Sequence, residues 1–170
     1  MNATLSRCSA MIALLVGITS AGIAQDGQPL ERFDNWDLHV FDGPNGKICV
    51  VASQPSDSRP TNVLRDPVLF MVTDWPTDGI QNEIQAQMGY PLATEVSVTV
   101  DDGPTFTMTN VVNEDAWLSS AVEDDLLTAA MKRGRTMVVR ARSTRGTDTI
   151  DTFSLIGISR ALARSAEECA

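Results

Sequence analysis

The sequence predicts a mainly-β fold: a single-domain antiparallel sandwich or partly closed barrel, with one packed helix at about 120–133 and a second helix at the C-terminus. Three observations predict it. Apolar and polar residues alternate over short runs, the period of a half-buried strand. Clusters of Gly, Pro, Asn and Asp interrupt those runs at short intervals, as at 42–46 and 101–104. One internal stretch carries a complete set of helix signals, and a short amphipathic stretch follows at 159–168.

Residues 36–40 alternate large apolar with polar, and 47–54 are β-branched and apolar; the turn cluster between them makes a hairpin. The stretch 55–67 holds three prolines and reads as the longest loop. The continuous apolar run 68–72 is expected to be a strand buried on both faces, stopped by 75–79. A weaker strand follows at 84–88. Val96, Val98 and Val100 alternate with Ser97 and Thr99, and 105–109 returns with Phe106 and Met108 on one face, a second hairpin.

The marked helix begins at Ser120, a cap with Glu123 at the third helical position, the spacing of a capping box. Val122, Leu126 and Ala130, beside Leu127 and Met131, give it one apolar face. Glu123, Asp124 and Asp125 sit at the positive end of its dipole, Lys132 and Arg133 at the negative end, and Gly134 terminates it. Strands at 136–143 and 148–155 then form a hairpin around Arg145-Gly146. A register with Val139 opposite Phe153 and Met137 opposite Leu155 gives them a shared apolar face. No internal repeat or heptad pattern is present.

The chain also carries an address. Arg7 precedes an apolar run at 11–18, and 19–24 supplies the small residues that a signal peptidase reads. The organisation expected is a signal peptide at 1–24, a flexible lead-in at 25–32 and one β domain at 33–170. No stretch is long enough for a transmembrane anchor, and Arg7 beside Cys8 argues against a lipidation site. The net charge is -9, and loss of Arg7 with the signal makes the mature chain more acidic still. Such a surface repels phosphate backbones and anionic lipid, which argues against nucleic acid and membrane surfaces as partners.

Cys8 leaves with the signal; Cys49 and Cys169 remain as an even pair in an oxidising compartment, and a disulfide between them is expected, against the alternative of two separate buried thiols.

Candidate sites are few. His39, the one histidine, could serve as a general base. It falls on the polar phase of a strand with no nucleophile signature, so a solvent-facing histidine is the reading preferred, and no catalytic residue is assigned. One His and a bridged Cys pair make no zinc set. The acidic pairs Asp101-Asp102, Glu114-Asp115 and Glu123-Asp124-Asp125 lack calcium-loop spacing and each has a local explanation, so no metal or cofactor is expected. Trp36, Trp75 and Trp117 are read as core anchors rather than groove lining. Arg133, Arg135, Arg140, Arg142 and Arg145 concentrate positive charge in an acidic chain. They are the candidate partner-binding residues, for an anionic protein or envelope ligand. The competing reading is a solvated face laddered with Asp148, Thr149 and Asp151.

Phe33-Asp34-Asn35-Trp36, the Cys49 strand, Gly89-Tyr90-Pro91, Ala116-Trp117-Leu118, the run 130–134, and the run 153–162 followed by Cys169 stand in a characteristic order. That order resembles the invasion-associated locus B family of exported proteins from alpha-class proteobacteria. The resemblance covers nearly the whole mature chain and implies a secreted or envelope-located, β-rich domain. Family members often carry a further Cys soon after the first Trp; residues 38–41 contain none here. The resemblance brings no catalytic residues with it. The function expected is that of an exported, periplasmic or secreted non-enzymatic protein that binds a partner or ligand. The alternatives are a small periplasmic hydrolase, or a barrel that carries a small apolar ligand in a large internal pocket.

Overall fold

The structure, a computed structural model, describes residues 28–170. The expected signal peptide, its cleavage point and the first residues of the lead-in lie outside them. The strands are β1 (Glu31–Phe33), β2 (Trp36–Gly43), β3 (Gly46–Ser53), β4 (Asp57–Arg59), β5 (Leu69–Trp75), β6 (Ile80–Gln87), β7 (Val96–Val100), β8 (Thr105–Met108), β9 (Asn110–Val112), β10 (Asp115–Trp117), β11 (Thr136–Arg142) and β12 (Asp148–Ser154). The helices are α1 (Ala121–Arg133) and α2 (Ile158–Glu168). All strand pairs are antiparallel. The large sheet runs β1-β2-β3-β5-β6-β10-β9 and the small one β4-β12-β11-β7-β8; neither closes into a barrel. The fold is therefore a mainly-β sandwich with packed helices, as the sequence predicts.

The inner face of the large sheet meets two kinds of cover. Toward one end it packs on the small sheet: Phe70 and Phe153 meet with ring centroids 5.8 Å apart, and the Trp36 indole N–H donates to the Ser154 carbonyl at 3.0 Å. Toward the other end it packs on the helices. Ser165 of α2 donates to Asp74 at 2.6 Å, and the Asp124 carboxylate of α1 accepts the Ile84 N–H at 3.0 Å. Trp36, Leu38, Val51, Phe70, Ile84, Met137 and Phe153 form the centre of the core, each at most 1% exposed. Burying a side chain of that size contributes roughly 1.5–3 kcal/mol. Cys49 and Cys169 are bonded with their Cα atoms 6.2 Å apart and 120 residues apart in sequence. The bond fastens the end of α2 beneath β3, and Lys47 reinforces it through an ion pair with Glu168 at 2.9 Å.

The structure corrects the sequence reading of several elements. Glu31 and Arg32, assigned to the flexible lead-in, pair with Leu38 and Asp37 as part of β1. The loop 55–67 contains β4, which pairs with β12. The run 68–72 is buried on one face only: Phe70 and Val72 point inward, whereas Leu69 and Met71 lie half-buried on the outer face of the large sheet. Ser120 does accept the Glu123 N–H, but the helix buries Asp124, Leu127, Thr128 and Met131, while Val122 is 68% and Leu126 56% exposed. The Asp124–Ile84 hydrogen bond fixes this rotation, because a carboxylate that satisfies a strand N–H must face the sheet. Gly134 terminates α1 as expected, in an extended conformation, and a Cβ there would collide with Val100 and Leu155.

The last hairpin differs in register. Met137 pairs with Phe153 and Val139 with Asp151, two residues from the expected alignment. A two-residue shift keeps every side chain on its own face. The tight turn sets the alignment: Ser143 donates to the Thr147 carbonyl at 2.9 Å and Gly146 to Ser143 at 2.8 Å, with Gly146 at φ 85°. At this register the buried Asp151 meets partners from the loop 55–67.

Candidate functional site

Strand alternation divides β11 into two faces. Met137, Val139 and Ala141 are buried against the large sheet; Arg140 and Arg142 point outward and are exposed. The ladder β4-β12-β11-β7-β8 then sets Arg59 beside Ile150, Ile150 beside Arg140, Arg140 beside Ser97 and Ser97 beside Thr107. An exposed isoleucine, 41% accessible, thus stands between two arginines. Arg59 pairs with Asp57 at 3.1 Å, and Arg142 with Asp148 at 3.5 Å. Both pairs are solvent-exposed, so each contributes about 1 kcal/mol or less. Arg140 forms no ion pair among the described residues.

The five arginines singled out by sequence do not form one cluster. Arg140 and Arg142 share the outer face. Arg133 ends α1, and Arg135 follows it, its backbone N–H donating to the Asp101 carboxylate at 3.2 Å. The seven residues of β11, about 20 Å at strand rise, separate these two from Arg142. Arg145 lies beyond the far end, in the hairpin turn. Arg59 joins the face instead; it sits inside a segment whose prolines read as loop, and only its pairing with Ile150 places it there.

Of the expected ladder partners, Asp148 serves Arg142, but Thr149 and Asp151 point inward. Asp151 is fully buried, takes a bidentate pair from Arg65 and accepts from Ser58 at 2.6 Å. Thr149 bonds the Tyr90 hydroxyl, and the Arg65 guanidinium lies 5.9 Å from the Tyr90 ring centroid. Burial pushes the Tyr90 hydroxyl above its ordinary pKa. This network anchors the loop 55–67 to the small sheet and walls a cleft of about 800 Å³ that Arg145, Glu114 and the fully exposed Leu64 also line. The signal for it was an acid on the apolar phase of β12, in step with Thr149 and Phe153; the sequence did not say which cation answers it.

His39 lies on the outer face of the large sheet and stacks on Phe41, ring planes 5° apart and centroids 6.2 Å apart. It borders a second cleft of about 800 Å³, floored by Val50, Ala52, Leu69 and Met71. Of the tryptophans, Trp36 is a core anchor. Trp75 and Trp117 are half-buried, and Trp75 donates to Glu83 at 2.9 Å. The acidic pairs have local work: Asp101 accepts the Arg135 and Thr136 N–H groups, Glu114 accepts from Gln87 and Asp115 from Gln85. Among the described residues, no group of three or more His, Cys, Asp or Glu is placed to hold a metal ion. No described helix is long and apolar enough to cross a membrane.

Together these features define a disulfide-braced two-sheet domain whose distinctive chemistry lies on outward-facing sheet surfaces. The family model for invasion associated locus B (IalB) protein matches residues 36–166, and the chain belongs to that family. The crystal structure of invasion associated protein B from Bartonella henselae superposes with a TM-score of 0.54. It covers 81% of this chain and 96% of that one at 17% sequence identity, a likeness of fold. Comparison with curated proteins gives no match.

Proposed function

We propose that the protein is exported to the periplasm or beyond and acts by binding a partner rather than by turning over a substrate. The outer face of the small sheet is its contact surface. The observation that carries this reading is the row Arg59–Ile150–Arg140, with Arg142 one step along the same strand face: an apolar centre flanked by cations on an otherwise acidic chain. Interfaces place apolar side chains at the centre and polar ones at the rim, with Arg enriched. The partner that fits is anionic. The Cys49–Cys169 bond and the apolar run at 11–18 support export. The stacking of His39 on Phe41 supports a packing role for the one histidine.

Retention of envelope components by the wild type and by the Arg140→Glu/Arg142→Glu variant tests the surface. The variant is expected to lose its partner, to leave the melting temperature nearly unchanged because exposed substitutions shift stability by about 0.5 kcal/mol or less, and wild-type retention should weaken with added salt. Lower stability with unchanged retention per folded molecule would make the face structural. Turnover in an esterase, peptidase and glycosidase screen that His39→Ala abolishes would overturn the non-enzymatic reading.

A further inference from the structure

The two sheets expose four edges, and three observations separate them. β1 is short and charged, and the chain entering α2 covers it: Asn35 donates to the Ile156 carbonyl, and Gly157 lies against the Phe33 carbonyl, where a Cβ would collide. β4 is three residues with two charges, Asp57 and Arg59, between Pro55 and Pro60. The other two edges belong to one run. Residues 105–112, TFTMTNVV, form the edge of the small sheet as β8 and then of the large sheet as β9, with Thr109 between. This run has no charge, no proline and no glycine. Among the described residues β8 pairs with β7 alone and β9 with β10 alone, so one side of the backbone is open. Thr105, Thr107 and Thr109 are exposed, and Val112 is 59% accessible. Natural edges are blunted by lysine, proline, bulges or covering segments. The first two edges show such devices, and 105–112 shows none.

The charges at its ends choose the occupant. Asp101-Asp102 precede β8 and Glu114 follows β9, with Asp115 one strand further in, on β10. A second copy paired antiparallel would bring its own acidic ends beside these, and like charges so placed are repelled. We propose that the β8–β9 edge accepts an extended segment of another protein, uncharged at its centre and basic at its ends, which adds as a further strand. Main-chain hydrogen bonds supply the binding, and the terminal charges select the partner. This edge lies two strands from Arg140, about 10 Å, and prefers the opposite charge.

Three labelled peptides test it: KKTVTVTKK, its acidic counterpart EETVTVTEE, and KKTPTPTKK, which keeps the charge but replaces two central donors with proline and cannot continue a strand ladder. Fluorescence anisotropy against the intact mature protein should show KKTVTVTKK binding at least about tenfold tighter than either control. Its binding should weaken with salt, and hydrogen exchange should show new protection within 105–112. Asp102→Lys, at an exposed turn position, should weaken KKTVTVTKK and strengthen EETVTVTEE. Equal binding of KKTPTPTKK would reduce the effect to bulk charge and overturn the proposal. Protection elsewhere on the chain, or a concentration-dependent dimer that protects 105–112 in the absence of peptide, would overturn it as well.

Discussion

Arg65→Ala should be among the most damaging single substitutions in the domain. The Arg65 side chain is 10% exposed and that of Asp151 fully buried; their bidentate contact is joined by the Ser58 hydroxyl. Removing the cation leaves a carboxylate in the core with one hydroxyl for a partner. Breaking a buried pair in this way costs about 3–5 kcal/mol. For a domain of this size each kcal/mol lowers the melting temperature by about 2–4 °C, so the variant should melt about 10 °C below the wild type. Most of that cost is the stranded charge rather than the net worth of the pair. Arg65→Met combined with Asp151→Leu should therefore recover most of the loss, since apolar replacement of a buried pair is often near neutral. Urea denaturation followed through the fluorescence of the buried Trp36 measures all the variants needed for a double-mutant cycle. A cost for Arg65→Ala below about 1 kcal/mol, with no coupling to Asp151, would refute the reasoning and mean that water reaches the carboxylate.

Cys169→Ser should lower stability by up to about 5 kcal/mol under non-reducing conditions, the chain-entropy value for a loop of this length; equal melting of wild type and variant without reductant would sink that expectation. Burial raises the Asp124 carboxyl above its ordinary pKa, against the Ile84 N–H that lowers it, with Glu83 and Asp125 adding to the rise. A carboxyl whose pKa is higher in the folded state holds its proton more tightly there, so stability falls as pH climbs from the ordinary carboxylate value through the raised one. Asp124→Asn, which keeps an acceptor for Ile84, should be the more stable form at neutral pH, its advantage shrinking as pH is lowered through that window; parallel pH–stability curves would refute this. Gly157→Ala should destabilise, because the position has φ 100° and a Cβ there would press on the Phe33 carbonyl; an unchanged melting temperature would show that the chain entering α2 can move away.

What the sequence disclosed was local. The β2–β3 and β7–β8 hairpins are announced by turn clusters lying between alternating runs, so short-range chemistry suffices. The same holds for α1, whose Ser120 cap sits where the capping spacing places it. What stayed hidden depends on a partner distant in the chain. The face that α1 buries is set by Ile84, 40 residues away, and Asp124 satisfies it while Val122 and Leu126 are left outside. The register of β11 on β12 places a buried acid whose cation, Arg65, lies 86 residues earlier. β9 and β10 carry no alternation long enough to read in three residues each. The candidate site divides in the same way: Arg140 and Arg142 were visible as neighbours of like phase, whereas Arg59 needed the pairing of β4.

The bond between Cys49 and Cys169 also carries a timetable. Polypeptides emerge from the N-terminal side, so the first of these sulfurs appears 120 residues before its mate. No third cysteine lies between them to divert it. β2 and β3 can therefore assemble around an idle thiol, and the bond can close only once the C-terminal residues have been made. In the folded domain the two sulfurs meet because the last helix lies beneath the second hairpin strand.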